Sequence, residues 1–127
     1  FISNVLPRDL GNLLSQFDII ISPNRSNVLH FGAFDGFPTG TVIHGCNSGC
    51  AMMLTDDWNN ATRIGLIDKV SYIKIEANSE DVINKLKGIT KNEIKSIAIR
   101  GKEVILNNLD LQNQMSKRIL IIKPHLQ

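Results

Sequence analysis

Aromatic side chains are scarce: they make up 6% of the chain, and after its one tryptophan, Trp58, the only further phenyl or indole ring is Tyr72. A surface that stacks unpaired bases needs several such platforms, so a stacking type of RNA-binding module is poorly supplied. Long apolar runs are missing too. Stretches such as Ile19 to Ile21 and Ile119 to Ile122 fall far short of the roughly 20 residues a membrane span requires, so no membrane span is expected and a soluble, cytoplasmic chain is favoured. Two cysteines are too few for a disulfide framework, and the Cys46-x-x-x-Cys50 spacing fixes no redox compartment. The chain opens at Phe1 without a basic-then-apolar leader, as expected of a processed product or an excised domain. A phosphate loop of the Walker kind is excluded, because GTVIHGC places Cys46 where the lysine should stand. Internal repeats, linkers and low-complexity segments are absent.

What remains is a chain of 127 residues with 43% apolar content, enough to bury one core and expected to form a single domain, 1 to 127. Its charge is uneven. Residues 1 to 62 carry two basic and five acidic side chains, a net −3, whereas 63 to 127 carry twelve basic and seven acidic, a net +5. The basic half is the candidate face for RNA or for an acidic protein partner; the plainer reading is a solvated lysine-rich surface. Asn24-Arg25-Ser26 and Asn60-Ala61-Thr62 match the glycosylation sequon, but thirteen asparagines produce such matches by chance.

Pro7 suits a first helical turn, and Leu10, Leu13, Leu14 and Phe17 follow the spacing of one buried helical face. A strand is predicted over 17 to 22, with further strands at 27 to 34, 40 to 45 and 50 to 54. Thr55 and two aspartates can cap a short helix running through Trp58 to Ile64. The alternation of 70 to 77 predicts a strand, and Ser79 is expected to cap a helix that ends at Gly88 in a left-handed conformation. SIAIRGKEVILN, 96 to 107, is read as a hairpin turning at Gly101-Lys102, because Ile97, Ile99 and Val104 are β-branched; the competing reading makes Thr90-x-x-Glu93 a capping box and the segment helical. RILIIK closes the chain as a last strand. The expected class is therefore α+β, a mostly antiparallel sheet with two or three short helices.

The stretch LHFGAFDGFPTGTVIHGC, 29 to 46, carries the candidate chemistry. If its turn centres on Phe37, His30 stands directly across from His44 in an antiparallel hairpin, close enough for one imidazole to orient the other. A slip of one residue would send them to opposite faces. The order of a strand beginning Phe17-Asp18-Ile19-Ile20, then Leu29-His30-Phe31-Gly32-Ala33-Phe34-x-Gly36, then Val42-Ile43-His44, resembles the H-box of permuted papain-like proteins, a group that includes the lecithin:retinol acyltransferase family, the NlpC-type peptidases in unpermuted order and the H-box proteins of some picornaviruses. The resemblance covers about residues 16 to 90. It implies a permuted papain-like fold, with His30 as general base and His44 holding its ring, but a cysteine stands neither near the C-terminus nor before residue 30. A non-enzymatic binding protein, of viral non-structural kind, is the leading expectation. A thiol hydrolase or acyltransferase using Cys46 or Cys50 with His30 and His44 is the second, and RNA binding through the basic half is the third. His44-x-Cys46-x3-Cys50, completed by His30 or His125, would offer zinc ligands at tolerable spacing, but nothing demands a metal and no cofactor is expected. No oligomeric state is specified.

Overall fold

Residues 51 to 54 read Ala-Met-Met-Leu, apolar at every position, which suits a strand covered on both faces. In the computed structural model, which describes residues 5–23, 37–57 and 59–122, this segment is the central strand β2 (Ala51–Leu54), and all four of its residues are buried. It pairs in parallel with β1 (Ile19–Ser22) on one side and β3 (Ile73–Lys74) on the other. The register sets Ile20 beside Met52 and Met53 beside Ile73.

Parallel neighbours cannot be joined by a tight turn and need a crossover. Helix α2 (Gly40–Asn47) lies in the first connection and the short α3 (Asn60–Arg63) in the second, giving the order β1-α2-β2-α3-β3. Ahead of this unit a 3-10 turn (Pro7–Asp9) leads into α1 (Leu10–Leu14), which packs on α2. After it come α4 (Ser79–Lys87), the long α5 (Lys91–Leu109) and α6 (Leu111–Ile122).

Alternation along β2 divides the core in two. Met52 and Leu54 join Val42, Cys46, Leu66, Tyr72 and Ile105 on one side. Ala51 and Met53 join Ile73, Ile75, Ile97 and Ala98 on the other. Helix α5 reaches both, through Ile97 and Ala98 in its first half and Ile105 in its second. Among the described residues no helix is long and apolar enough to cross a membrane.

The expectation of a mostly antiparallel, permuted papain-like sheet with two or three short helices is overturned. The only sheet among the described residues has three strands, all parallel, and six α-helices accompany it. Three segments account for the change. The expected strand at 40 to 45 is helix α2, whose buried residues Val42, Gly45 and Cys46 follow the i, i+3, i+4 spacing of a helical face. The expected hairpin at 96 to 107 lies within α5, started by the competing capping box: Thr90 Oγ1 accepts from the Glu93 N–H while the Glu93 carboxylate accepts from the Thr90 N–H. Arg118 to Ile122 of the expected last strand belong to α6, whose first turn hangs from the Asp110 carbonyl through the Gln114 N–H. In each case β-branched residues were outweighed by a helical start or by a face that fits the core.

Smaller corrections follow the same lines. Helix α4 is capped by Asn78, whose side chain accepts from the Asp81 N–H, rather than by Ser79, and Gly88 ends it at φ −90° without a left-handed turn. The strand over 70 to 77 shrinks to Ile73–Lys74 with an isolated bridge between Asp68 and Tyr72. The strands expected over 17 to 22 and 50 to 54 form as β1 and β2. The strand expected over 27 to 34 lies outside the described residues.

Candidate functional site

His30 and His125 lie outside the described residues. His44 sits in the last turn of α2, exposed, so the cross-strand register that was to set it opposite His30 does not exist. Cys46, two residues on, is fully buried. Two positions along a helix are separated by about 200° around its axis, which puts imidazole and thiol on opposite sides. Cys50 precedes β2 and is buried as well; its S–H donates to the carbonyls of Leu14 at 3.3 Å and Phe17 at 3.4 Å.

Both thiols are free and neither is poised as a nucleophile. Burial pushes Cys46 up to about 11, with only partial relief from the Lys102 ammonium, and burial together with Asp18 raises Cys50. A nucleophilic cysteine needs the reverse, a thiolate favoured by nearby positive charge or a helix N-terminus. The His44, Cys46, Cys50 spacing does not assemble a metal site either: among the described residues no group of three His, Cys, Asp or Glu side chains is placed to hold an ion.

The parallel sheet gathers a different set of groups. Because all three strands run the same way, the loops that follow them open at one edge. There Ser22 ends β1, Thr55 and Asp56 follow β2, and α2 begins at Gly40 behind Thr39. Ser22, Phe37, Pro38, Thr39, Val42, Leu54 and Thr55 line a cleft at this edge, a narrow crevice with no room for a water molecule.

Asp56 is buried and is not among the residues lining the cleft. Its two carboxylate oxygens accept from the Asn60 N–H at 2.6 Å and the Ala61 N–H at 3.3 Å, which caps α3. Tyr72 donates its hydroxyl to the same carboxylate, and burial, the charges of Asp56 and Asp68 and this hydrogen bond together push its phenol up to about 12. The Asp56 charge is thus spent inside the fold.

Helix α2 differs from α3, α4 and α5 at its N-terminus. Side chains cap α3, α4 and α5, through Asp56, Asn78 and Thr90 with Glu93. Thr39, the N-cap residue of α2, makes no such bond. Gly40 and Thr41 are exposed there, and a Cβ on Gly40 would meet nothing within 4 Å. Backbone N–H groups of a first helical turn with no internal partner, opening on a cleft, are donors that favour an anion.

Sequence reasoning missed this edge, because Phe37-Pro38-Thr39-Gly40 was read as a hairpin tip. A signal was present: Pro38, then the cap-type residue Thr39, then Val42, Gly45 and Cys46 at helical spacing, is a helix start. In the basic half, Lys85 pairs with Asp81 at 3.2 Å, and Lys102 reaches across to the Asn47 carbonyl at 2.8 Å. Neither a known protein family, nor a curated protein, nor a solved structure matches the chain.

Proposed function

We propose that the chain is a ligand-binding α/β unit that takes a phosphate-bearing ligand of the nucleotide class, a nucleoside diphosphate or the diphosphate end of an activated donor, at the carboxyl edge of its sheet. The observation that carries this reading is the parallel β1-α2-β2-α3-β3 unit, which brings the carboxyl ends of its strands to one edge. In open parallel α/β sheets ligands bind in the crevice outside those ends, and the βαβαβ unit is the mononucleotide-binding half of doubly wound folds. The diphosphate would lie on the N–H groups opening α2, where the helix dipole favours negative charge, with the hydroxyls of Thr39 and Thr41 beside it. Thiol chemistry has no part in this reading, since Cys46 and Cys50 are held as neutral, buried thiols.

The test is an amide NMR titration with UDP, ADP and GDP, with the corresponding nucleosides as controls. Saturable shifts at residues 39 to 42 are expected with the diphosphates and much weaker ones with the nucleosides. Gly40→Asp is the discriminating variant. Its side chain enters open space and its carboxylate suits a helix N-terminus, so thermal stability should be unchanged or higher. Diphosphate affinity should nevertheless fall by about tenfold or more, since a carboxylate then occupies the anion's place. Absence of shifts at 39 to 42, or unchanged affinity in Gly40→Asp, would defeat the proposal.

A further inference from the structure

A second concavity lies away from the carboxyl edge. It is lined by residues 68 to 70, which precede β3, and by residues around the end of α4 and the first half of α5. Between these segments and β3 is a groove of about 410 Å³. That is within the range of small-molecule sites, about 300 to 1,000 Å³.

Its lining is divided by chemistry. Val70, Ile73, Ile89 and Ile97 supply apolar surface, and Ile73 and Ile97 belong to the buried core. Lys69, Lys74, Lys85 and Arg100 supply four cations against the two carboxylates of Asp68 and Glu93. Both carboxylates are engaged by the fold itself: Asp68 accepts from the Lys74 N–H at 2.8 Å, and Glu93 closes the α5 capping box. Lys85 is paired with Asp81 and also donates to the Lys74 carbonyl. Among the described residues, the charged groups of Lys69, Lys74 and Arg100 form no ion pair.

From this division we infer that the groove is a binding site for a small amphipathic anion, an apolar chain ending in a carboxylate. The apolar floor takes the chain and the unpaired cations take the head. An added β-strand is not the occupant this geometry fits. β3 is an edge strand, and its Lys74 N–H and C=O, the groups a new strand would use, are already taken by Asp68 and Lys85.

Decanoate, decanol and decylamine, below their aggregation concentrations, are the probes, with the isoleucine methyl NMR spectrum of the intact chain as readout. Decanoate is expected to shift Ile73, Ile89 and Ile97 saturably, decanol to bind more weakly and decylamine not to bind. The double variant Lys69→Gln, Arg100→Gln changes only exposed side chains. Its melting temperature should match wild type while decanoate affinity falls by about tenfold or more. Equal binding of decanol or decylamine would overturn the site, as would shifts confined to other isoleucines or undiminished decanoate binding in the double variant.

Discussion

Helix α2 meets the sheet through Gly45 and helix α5 through Gly101, and the two contacts differ in what stands opposite the glycine. A Cβ on Gly45 would come within 2.6 Å of Ile20 Cδ1 and 3.0 Å of its Cβ and Cγ2, atoms of a side chain that can shift in part. A Cβ on Gly101 would lie 2.4 Å from the carbonyl oxygen of Ser71 and 2.9 Å from Met52 Cε. That carbonyl belongs to a tight turn, held by the Ser71 N–H on the Ile67 carbonyl and the Lys69 N–H on the Tyr72 carbonyl, so it has nowhere to go. The helices differ at their starts as well: α5 carries a complete capping box and α2 has no side-chain cap. The helix that is fixed at both its start and its middle serves the core. The one left open at its start faces the cleft.

Gly101→Ala should produce the largest effect. Overpacking a core costs about 1–3 kcal/mol and sometimes more, and a backbone oxygen yields less than a side chain. Alanine returns about 1 kcal/mol of helix propensity. A net loss of about 2 kcal/mol or more, from the top of that range less the propensity gain, is expected in chemical denaturation; a stability gain would mean that α5 does not lie against Ser71.

Gly45→Ala comes next. Ile20 can rotate its δ-methyl but not its Cβ, so a net loss of about 1–2 kcal/mol is expected. Gly45→Ala combined with Ile20→Val removes that δ-methyl and should recover part of the loss. Without such recovery, the α2 contact lies elsewhere.

The smallest effects separate the two N-termini. Thr90→Ala should cost about 1 kcal/mol through loss of the cap, whereas Thr39→Ala should change stability by only a few tenths of a kcal/mol, because Thr39 makes no side-chain cap bond. The Thr90 difference should depend on pH. Hydrogen bonds from the Thr90 side chain and N–H hold the Glu93 carboxyl below its ordinary range, so its contribution is present above the ordinary glutamate pKa and is lost as pH falls through the lower folded value. Denaturation of wild type and Thr90→Ala, at neutral pH and at successively lower pH, should show the gap closing in acid. An equal gap at every pH would mean that Glu93 is not the partner that matters.

The same pair of helices shows how much could be read in advance. Thr90-x-x-Glu93 is a local signal, three residues apart, and it states a helix start whatever surrounds it. The signal ahead of α2, Pro38 then Thr39, is weaker: Val42 stands where a capping box needs Glu or Gln, and Thr41, Val42 and Ile43 favour a strand locally, so the burial of Val42, Gly45 and Cys46 decides for a helix. The expectation made Gly101 a turn residue and Gly45 the end of a strand. The use of both glycines in the fold is the absence of a side chain, which only a packed neighbour can reveal. The candidate site was hidden for a related reason. Cys46 and His44 are chemically conspicuous, but the side of the helix each falls on depends on that same conformation. The edge that gathers Ser22, Thr39 and Thr55 depends on strand direction, which apolar patterning does not encode.

By itself the sequence determined what local chemistry controls: the strands β1 and β2, the capping-box signal ahead of α5, Asp56 as a cap, and the lack of an apolar run long enough to span a membrane. Tertiary structure alone decided that the strands run parallel, that 40 to 47 coils, and that Gly101 is a contact point rather than a turn. The physical reason is range. Caps and alternating burial act within one or two turns of chain, whereas the parallel register and the Gly101 contact bring together residues about thirty apart, whose fit is tested only when the core closes.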